Sequence, residues 1–353
     1  MKLWLGVWAW VLSLASVTHA DVPADRLATL AKGVNIISVF TETPLTHIYA
    51  DLERIKLAGL RHIRIFVDPD WILQEGSLGT TRLDQVVQAA VADGLGVILS
   101  MTSSQYPPDD KATSLTVNLW GEAWDHLARR YGDLPASKVF FELANEPTMA
   151  PARWNTVQEE FWKRVRRYAP KNTILMTGSP DSTVWSLGDL SPIDDDDVAY
   201  TFHLYQPMVF THQGAEWDSN YTAIRGLTYP PKADNVAIVK QHVPAAEAND
   251  LSQYLESGAG AIQKELSVAE KWATAHHVHL VVTEFGVYRT APPNSRAAWL
   301  SEARQGIETA GFGWTVWEYD GGFGIAPGLN NCTAAMRALG LSAPSGNSHC
   351  PRQ

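Results

Sequence analysis

The stretch FFELANEP, Phe140 to Pro147, is an apolar run that ends in Asn145, Glu146 and a proline. Proline cannot donate to a strand ladder, so we expect the strand to stop there and to leave both polar side chains at its tip. The stretch LVVTEFG, Leu280 to Gly286, has the same form, with Glu284 near its end and a glycine closing it. The sequence therefore predicts two carboxylates, each at the tip of a buried strand.

Strand-like apolar runs alternate with helical patterns outward from these two stretches. The predicted strands are 32–40, 62–67, 96–101, 139–143, 172–177, 198–204, 278–283 and 313–317. The predicted helices are 45–58, 83–92, 117–131, 151–168, 251–276, 295–310 and 332–339, with an irregular stretch at 206–243. Strands that are apolar throughout are typical of parallel strands buried on both faces. We therefore predict an α/β fold, a closed (β/α)8 TIM barrel.

An open doubly wound sheet is the alternative architecture. It requires a glycine-rich phosphate-binding turn after the first strand, and KGVNIIS at 32–38 has none. No linker or internal repeat divides the chain. We expect residues 21–353 to form one catalytic domain.

Composition narrows the class of protein. The chain has 353 residues, of which 45% are hydrophobic and 19% charged, so it can bury a large core. Its net charge of −10 disfavours nucleic acid and anionic lipid as partners and favours a neutral substrate. Two cysteines, Cys332 and Cys350, are too few for a cysteine-based metal site, and we expect them to form one disulfide in an exported protein.

The N-terminus has the pattern of a signal peptide. Lys2 precedes an apolar run from Leu3 to Val17, and Thr18-His19-Ala20 suits cleavage after Ala20. We expect residues 1–20 to be removed, which predicts a secreted or periplasmic protein with no membrane association afterwards. An uncleaved anchor is the alternative.

In a (β/α)8 barrel, chemistry gathers at the C-terminal ends of the strands. Polar and aromatic residues are predicted at these ends, and a pair of carboxylates among them is the arrangement that glycoside hydrolysis uses. His203 and Tyr205 are two residues apart and so share one side of their strand. The candidates are Asn35, Arg64, Asn145, Glu146, His203, Tyr205, Glu284, Trp317 and Glu318.

These residues stand in motifs that resemble glycoside hydrolase family 5, the cellulase-type (β/α)8 enzymes, from Gly33 to about Gly324. FELANEP resembles the acid/base strand of that family, and TEFG resembles its nucleophile strand. YTFHLYQP resembles its His-x-Tyr strand, RHIRIF its strand-two arginine and TVWEYDGGFG its strand-eight tryptophan. The order of these motifs along the chain is the specific part of the resemblance.

The resemblance implies a retaining endo-β-1,4-glucanase that acts on a polysaccharide, as a monomer, without cofactor or metal. It implies that Glu146 is the general acid/base and Glu284 the nucleophile. In such a mechanism the carboxyls lie about 5–5.5 Å apart. We expect apolar surroundings to raise the pKa of Glu146, and Arg64 and Tyr205 to hold Glu284 ionised.

The resemblance also implies roles for the other strand-end residues. Asn145 is expected to bind the sugar 2-hydroxyl, His203 to orient the acid/base or a hydroxyl, and Trp317 to lie beneath the reacting sugar. We expect Glu142 to be a buried partner of Arg64, and Glu318 to be a supporting residue. The predicted substrate-binding set is Asn35, Arg64, Asn145, His203, Tyr205 and Trp317.

One position departs from the family pattern, because GVILSMTSSQY at 96–106 lacks the histidine that usually follows strand three. Thr102, Ser103 or Ser104 is expected to take its place, which leaves recognition of the reacting sugar open. Mannan, β-1,3-glucan and a bacterial exopolysaccharide remain alternative substrates. A non-catalytic carbohydrate-binding barrel is disfavoured because both glutamates are present.

Two further groups of residues invite a functional interpretation. His276, His277 and His279, and the run Asp194 to Asp197, suggest metal ligands, but a solvated turn and a plain acidic loop are the favoured predictions. Aromatic residues that follow strands are candidates for stacking on sugars in outer subsites. They are Trp71, Tyr106, Trp185, Trp217 and Tyr288.

Overall fold

The fold is a closed barrel of eight parallel strands, as predicted. It is seen in a computed structural model, which describes residues 22–41, 43–74, 78–105, 107–325 and 333–342. Each strand pairs with the next along the chain, and β8 pairs with β1 to close the ring. The strands are β1 Lys32–Asn35, β2 His62–Val67, β3 Gly96–Met101, β4 Val139–Glu142, β5 Ile174–Thr177, β6 Val198–Leu204, β7 Leu280–Phe285 and β8 Gly313–Val316.

Helices surround the barrel and cover the outer faces of its strands. The α-helices are α1 Ala24–Leu30, α2 Leu45–Leu57, α3 Pro69–Leu73, α4 Leu78–Ala92, α5 Ser114–Tyr131, α6 Pro151–Tyr168, α7 Met208–Thr211, α8 Ala233–Lys240, α9 Ala245–Ser257, α10 Ala261–His276, α11 Pro293–Thr309 and α12 Ala334–Ala338.

The apolar strand residues divide between two cores. Most pack outward against the helices in one continuous cluster. Ile98, Phe140 and Val281 belong to a smaller cluster with Leu30 of α1. Burial on both sides explains why the strands are apolar throughout, and it leaves the polar residues at their C-terminal ends as the exceptions.

Several element boundaries differ from the sequence prediction, most of them by a few residues, and α1 and α3 were not predicted. The predicted helix 251–276 is two helices, α9 and α10, because the glycine-containing turn Gly258–Gly260 interrupts it. The stretch 206–243, predicted to be irregular, contains α7 and α8. The first strand ends at Asn35, and Ser38–Phe40 forms a 3-10 turn, so the side chain of Asn35 lies at the barrel mouth.

Several predictions concern residues outside the described ranges. The signal peptide at 1–20, the disulfide between Cys332 and Cys350, and Tyr106 all lie there. Within the described ranges, no helix combines the length and the apolar character that crossing a bilayer requires.

Candidate active site

Arg64 forms the floor of the site at the C-terminal mouth of the barrel. It is 1% exposed, and its Nε and Nη2 donate hydrogen bonds to the carboxylate of Glu142. Its Nη1 donates to Glu284 Oε1 at 2.8 Å, and its Nη2 also donates to Ser100 Oγ at 3.0 Å. Burial alone would lower the pKa of Arg64, but the charges of Glu142 and Glu284 raise it by more than burial lowers it. Arg64 therefore stays charged. The predicted Arg64–Glu142 pair is confirmed.

Asn35 holds Arg64 in place rather than facing the cleft. Its Nδ2 donates to the backbone carbonyls of Thr283 and Val316 at 3.1 and 3.2 Å, and its Oδ1 accepts from Arg64 at 2.9 Å. Asn35 and Arg64 are each 1% exposed, and these bonds occupy their polar atoms. The sequence predicts both as substrate-binding residues; in the structure their polar atoms bond to protein groups beneath Glu284.

Glu284 is held from two sides on β7. Its Oε1 accepts the bond from Arg64, and its Oε2 accepts a hydrogen bond from the Tyr205 hydroxyl at 3.0 Å. A register shift between β6 and β7 pairs Phe202 with Val282 but His203 with Glu284. Such a shift re-aims side chains, and here it brings the histidine beside the carboxylate.

Glu146 lies just beyond β4 and is far more open. Its side chain is 44% exposed, and its Oε1 lies 2.9 Å from His203 Nδ1. Its backbone has φ +42°, a conformation that non-glycine residues rarely adopt. The Glu146 N–H donates to Ser182 Oγ at 3.2 Å, which ties this turn to the segment after β5.

The two carboxylates and His203 form one compact group. One ligand-type atom from each of Glu146, His203 and Glu284 lies within 4.8 Å of the others. This spacing would suit a metal ion, but both oxygens of Glu284 already accept bonds from protein donors, one of them the Arg64 cation. The geometry therefore favours two carboxyl groups that take part in a reaction over a site that binds a cation.

The two carboxyls are electrostatically linked through His203. Burial raises the pKa of Glu284, and the charges of His203 and Arg64 offset only part of this rise. Burial acts in the same direction on Glu146, but the hydrogen bond and charge of His203 outweigh it and lower the pKa of Glu146. Burial lowers the pKa of His203, and the carboxylate charges more than reverse this effect.

This order of the two pKa values in the free protein is the reverse of the sequence prediction, in which the pKa of Glu146 was raised and Glu284 was held ionised. The reason is geometric. His203 lies closer to Glu146, at 2.9 Å, than to Glu284, at 3.7 Å, and Glu284 is the more deeply buried of the two carboxyls.

Asn145 and Trp317 line the open part of the site. Asn145 Oδ1 accepts from Arg64 at 2.8 Å, and no described residue accepts from its half-buried Nδ2, which leaves a donor for a sugar hydroxyl. Trp317 follows β8 and is half-buried, with its ring centroid 5.4 Å from that of Phe66. Both residues remain candidates for the predicted substrate contacts.

Comparison with known proteins agrees with this geometry. Residues 32–322 match the model of the cellulase family, glycosyl hydrolase family 5. The chain belongs to glycosyl hydrolase family 5. The site described above is therefore that of a family 5 glycoside hydrolase, an enzyme that acts on a polysaccharide.

Relatives of this family 5 hydrolase include named endoglucanases. Endoglucanase C of Acetivibrio thermocellus is 27% identical over 285 residues, which cover 76% of this chain and 82% of that protein. Endoglucanase 3 of Fibrobacter succinogenes is 28% identical over 240 residues, which cover 64% of this chain but only 36% of that longer protein.

Solved structures share the fold. Thermotoga maritima Cel5A in complex with cellobiose superposes with a TM-score of 0.71 at 25% identity, covering 89% of this chain and 99% of that one. Cellulose synthase subunit Z from Clostridioides difficile has a TM-score of 0.72 at 23% identity, covering 88% and 99%, and is similar in fold.

Sequence reasoning missed several residues of the family 5 site. Ser100 is a lone polar residue in the apolar run of β3, and that contrast could have identified it. Ser182 and His212 lie in loops and carry no comparable signal. His212 packs 5.0 Å from the Tyr205 ring, and burial lowers its pKa to about 4.

The predicted stacking residues divide by exposure. Trp71, Trp185 and Trp217 are 43%, 52% and 63% exposed, so part of each ring faces solvent. Tyr288 is 4% exposed and packs against Phe323, which makes it part of the wall. At the opposite end of the barrel, the predicted histidine and aspartate groups line one groove, but within the described ranges they lack the spacing of a metal site.

Proposed function

We propose that this enzyme is a retaining, endo-acting hydrolase of β-1,4-glucan, with Glu284 as nucleophile and Glu146 as general acid/base. The observation that carries the proposal is the approach of their oxygens to within 4.8 Å. Retaining enzymes place the carboxyls about 5–5.5 Å apart, whereas inverting enzymes need about 6.5–9.5 Å to admit a water molecule.

In the first step, Glu284 attacks the anomeric carbon while Glu146 protonates the glycosidic oxygen. The bond between the anomeric carbon and that oxygen breaks. The product is a covalent glycosyl-enzyme on Glu284 and a released sugar chain. Arg64 and Tyr205 donate to opposite oxygens of Glu284 and fix its direction of attack.

In the second step, Glu146 removes a proton from water, which attacks the same carbon and releases Glu284. The half-exposed position of Glu146 supports this step because the residue must exchange protons with solvent. We expect bound sugar to displace water from Glu146 and to raise its pKa towards the value that the acid role requires. His203 is the positioning residue for Glu146.

The choice of β-1,4-glucan rests on the relatives named endoglucanases and on the cleft itself. Trp71, Trp185 and Trp217 are exposed and follow strands β2, β5 and β6 along the chain, and aromatic rings on which several sugars stack would favour attack within a chain. The two carboxyls supply both nucleophile and proton, so the proposal includes no cofactor. The missing strand-three histidine is the reason to test other β-glycans.

The test is release of reducing ends from β-1,4-glucan, mixed-linkage glucan, β-1,3-glucan, mannan and xylan. We expect hydrolysis of β-1,4-glucan that disappears in Glu284→Gln. Proton NMR of the first products should show the β-anomer, as retention demands. Initial α-anomer would refute the retaining mechanism, and activity only on another polysaccharide would reassign the substrate.

We also propose that the enzyme is exported after removal of residues 1–20 and acts as a monomer. N-terminal sequencing of the exported protein should begin at Asp21. Size-exclusion chromatography with light scattering should give the mass of a single chain, and a dimer mass would refute that part of the proposal.

A further inference from the structure

The turn that follows β8, residues 318–325, is held in place by side chains. Its residue Phe323 is 4% exposed although it belongs to neither a strand nor a helix. The Phe323 N–H donates to Glu318 Oε1 at 3.2 Å, and the Phe323 carbonyl accepts from Arg296 Nη2 at 2.6 Å. These two bonds satisfy the backbone of Phe323 as a strand ladder would, and they fix the place of its ring.

Arg296 joins this turn to the loop after β7. It lies near the start of α11, and its Nη2 also donates to the Gly324 carbonyl at 2.9 Å. Its Nε donates to the Val287 carbonyl at 2.9 Å. No described carboxylate pairs with Arg296, and burial lowers the pKa of Arg296 to about 10, so it is still charged at neutral pH. Its charge therefore serves the backbone of two active-site loops.

The Phe323 ring packs in an aromatic cluster beside the nucleophile. Its centroid lies 6.1 Å from that of Tyr205 and 5.4 Å from that of His212. The His212 ring is in turn 5.0 Å from the Tyr205 ring. Tilted and edge contacts of this kind favour particular ring orientations. Phe323 and His212 therefore determine together where the Tyr205 ring lies.

The strand that precedes Tyr205 does not fix its position. β6 ends at Leu204, so Tyr205 lies one residue beyond the ladder, and its carbonyl accepts from Thr211 Oγ1 at 2.6 Å. Its hydroxyl, which donates to Glu284 Oε2 at 3.0 Å, is the side-chain atom farthest from the backbone. A small rotation of the ring therefore moves the hydroxyl most, and the contacts on the ring decide whether this hydrogen bond forms.

We propose that Phe323 is a positioning residue for the nucleophile and that Arg296 holds Phe323 in that role. Phe323 packs on the Tyr205 ring and thereby keeps the Tyr205 hydroxyl on the Glu284 carboxylate. The inference rests on the proposed function, because it takes Glu284 as the nucleophile. A hydrogen bond to a charged group is among the stronger ones, so a tyrosine that is held in place directs the attack.

A double-mutant cycle on kcat/KM with 4-nitrophenyl β-cellobioside is the first test. We expect Tyr205→Phe, which removes the hydroxyl, to lower kcat/KM by about 10–100-fold. Phe323→Leu should lower it by about three- to tenfold in the wild-type background, but by less than about twofold when Tyr205→Phe is already present. A side chain that acts through the hydroxyl has no effect once the hydroxyl is gone.

The second test is a titration of Glu284 that needs no substrate. ¹³C NMR of labelled glutamate carboxyls follows this residue, whose signal is the one that is missing in Glu284→Gln. The hydrogen bond from Tyr205 favours the charged form of Glu284, as the charges of His203 and Arg64 do, whereas burial and the charge of Glu146 favour the neutral form. Loss of the Tyr205 bond should therefore raise the pKa of Glu284.

Two arginine variants separate positioning from plain stability. Phe323→Leu and Arg296→Met should both raise the pKa of Glu284, whereas Arg304→Met should leave it at the wild-type value. Arg304 is the matched control, because it lies on the same helix and donates to the Ala338 carbonyl at 3.0 Å, away from the site. Thermal unfolding should show that both arginine variants are less stable than wild type.

Either test can overturn the inference. Losses that multiply in the cycle would make Phe323 a packing residue that acts independently of Tyr205. A pKa of Glu284 that stays at the wild-type value in Phe323→Leu and Arg296→Met would do the same. If wild type hydrolyses none of the β-glycans, the proposed function fails, and the titration still decides whether Phe323 keeps Tyr205 on Glu284.

Discussion

The tips of β4 and β7 hold the two carboxyls in different ways. The Glu284 side chain is 6% exposed and both its oxygens accept hydrogen bonds, whereas the Glu146 side chain is 44% exposed and, among the described residues, bonds to His203 alone. A nucleophile must point at one carbon throughout the reaction, and an acid/base must exchange a proton with water between steps. The difference in enclosure matches the two tasks that we propose for these residues.

The largest expected effect is the loss of the nucleophile. Glu284→Gln keeps the shape of the side chain but cannot form the glycosyl-enzyme, so we expect kcat to fall by about 10⁴-fold or more. The loss should be the same for β-1,4-glucan and for an aryl cellobioside, because both need the same attack. Steady-state rates on the two substrates test this, and circular dichroism controls for folding.

Loss of the acid/base should depend on the substrate. Glu146→Gln should lower kcat on β-1,4-glucan by about 10²–10⁴-fold, since the sugar leaving group needs a proton. On 2,4-dinitrophenyl β-cellobioside, whose leaving group departs as an anion, the first step should be nearly unaffected. A burst of dinitrophenol followed by slow turnover is the expected trace. Equal losses on both substrates would break the proposed division of roles.

The third prediction concerns the floor under Glu284. Glu142→Gln removes one partner of the buried Arg64 charge, and breaking such a pair costs about 3–5 kcal/mol of unfolding free energy. Urea unfolding measures the change. The matched control is Glu159→Gln, which breaks the exposed Lys163–Glu159 pair and should change stability by less than about 1 kcal/mol. A similar effect of both variants would show that Arg64 does not depend on Glu142.

The sequence predicted the barrel because near-continuous apolar strands leave few architectures that bury them on both faces. It also placed polar residues at the strand ends, since an apolar run interrupted by Asn145 and Glu146 stands out. Glu142 could be assigned to Arg64 because a charge two residues before a strand tip points inward and needs a partner.

The hydrogen bonds and pKa values of the site were harder to predict from the sequence, because they depend on which groups lie close together in the folded chain. Asn35 has the residue type of a sugar-binding group, yet the carbonyls of Thr283 and Val316 claim its amide. The pKa order of the two carboxyls depends on the distance from His203 to each of them and on the burial of Glu284, which no local pattern in the sequence indicates.

The smallest predicted effect belongs to a third carboxyl, Glu318, just beyond β8. It is 4% exposed; its Oε1 accepts from the Phe323 N–H at 3.2 Å, and its Oε2 has no partner within the described ranges. The Glu318 carboxyl is thus buried like that of Glu284, but among the described residues it has no ion-pair partner of the kind that Arg64 provides to Glu284. Burial raises the pKa of Glu318 to about 7, although the Phe323 N–H opposes the rise and the charge of Asp320 adds to it.

The sign of the pH effect follows from that raised pKa. An unfolded glutamate has a pKa of about 4.3, so between about pH 4.3 and 7 the folded protein keeps a proton that the unfolded chain has lost. Glu318 therefore contributes stability at low pH that is lost as the pH rises to about 7. Glu318→Gln removes this contribution, and its melting temperature should fall less than that of wild type between pH 4.5 and 8.

Thermal unfolding across this range tests the prediction, with the exposed Glu256→Gln as control. Parallel curves for wild type and Glu318→Gln would show that Glu318 titrates as it does in the unfolded chain. Burial without a neighbouring cation would then not raise the pKa of the Glu318 carboxyl, and this carboxyl would not differ in that respect from the more exposed Glu146.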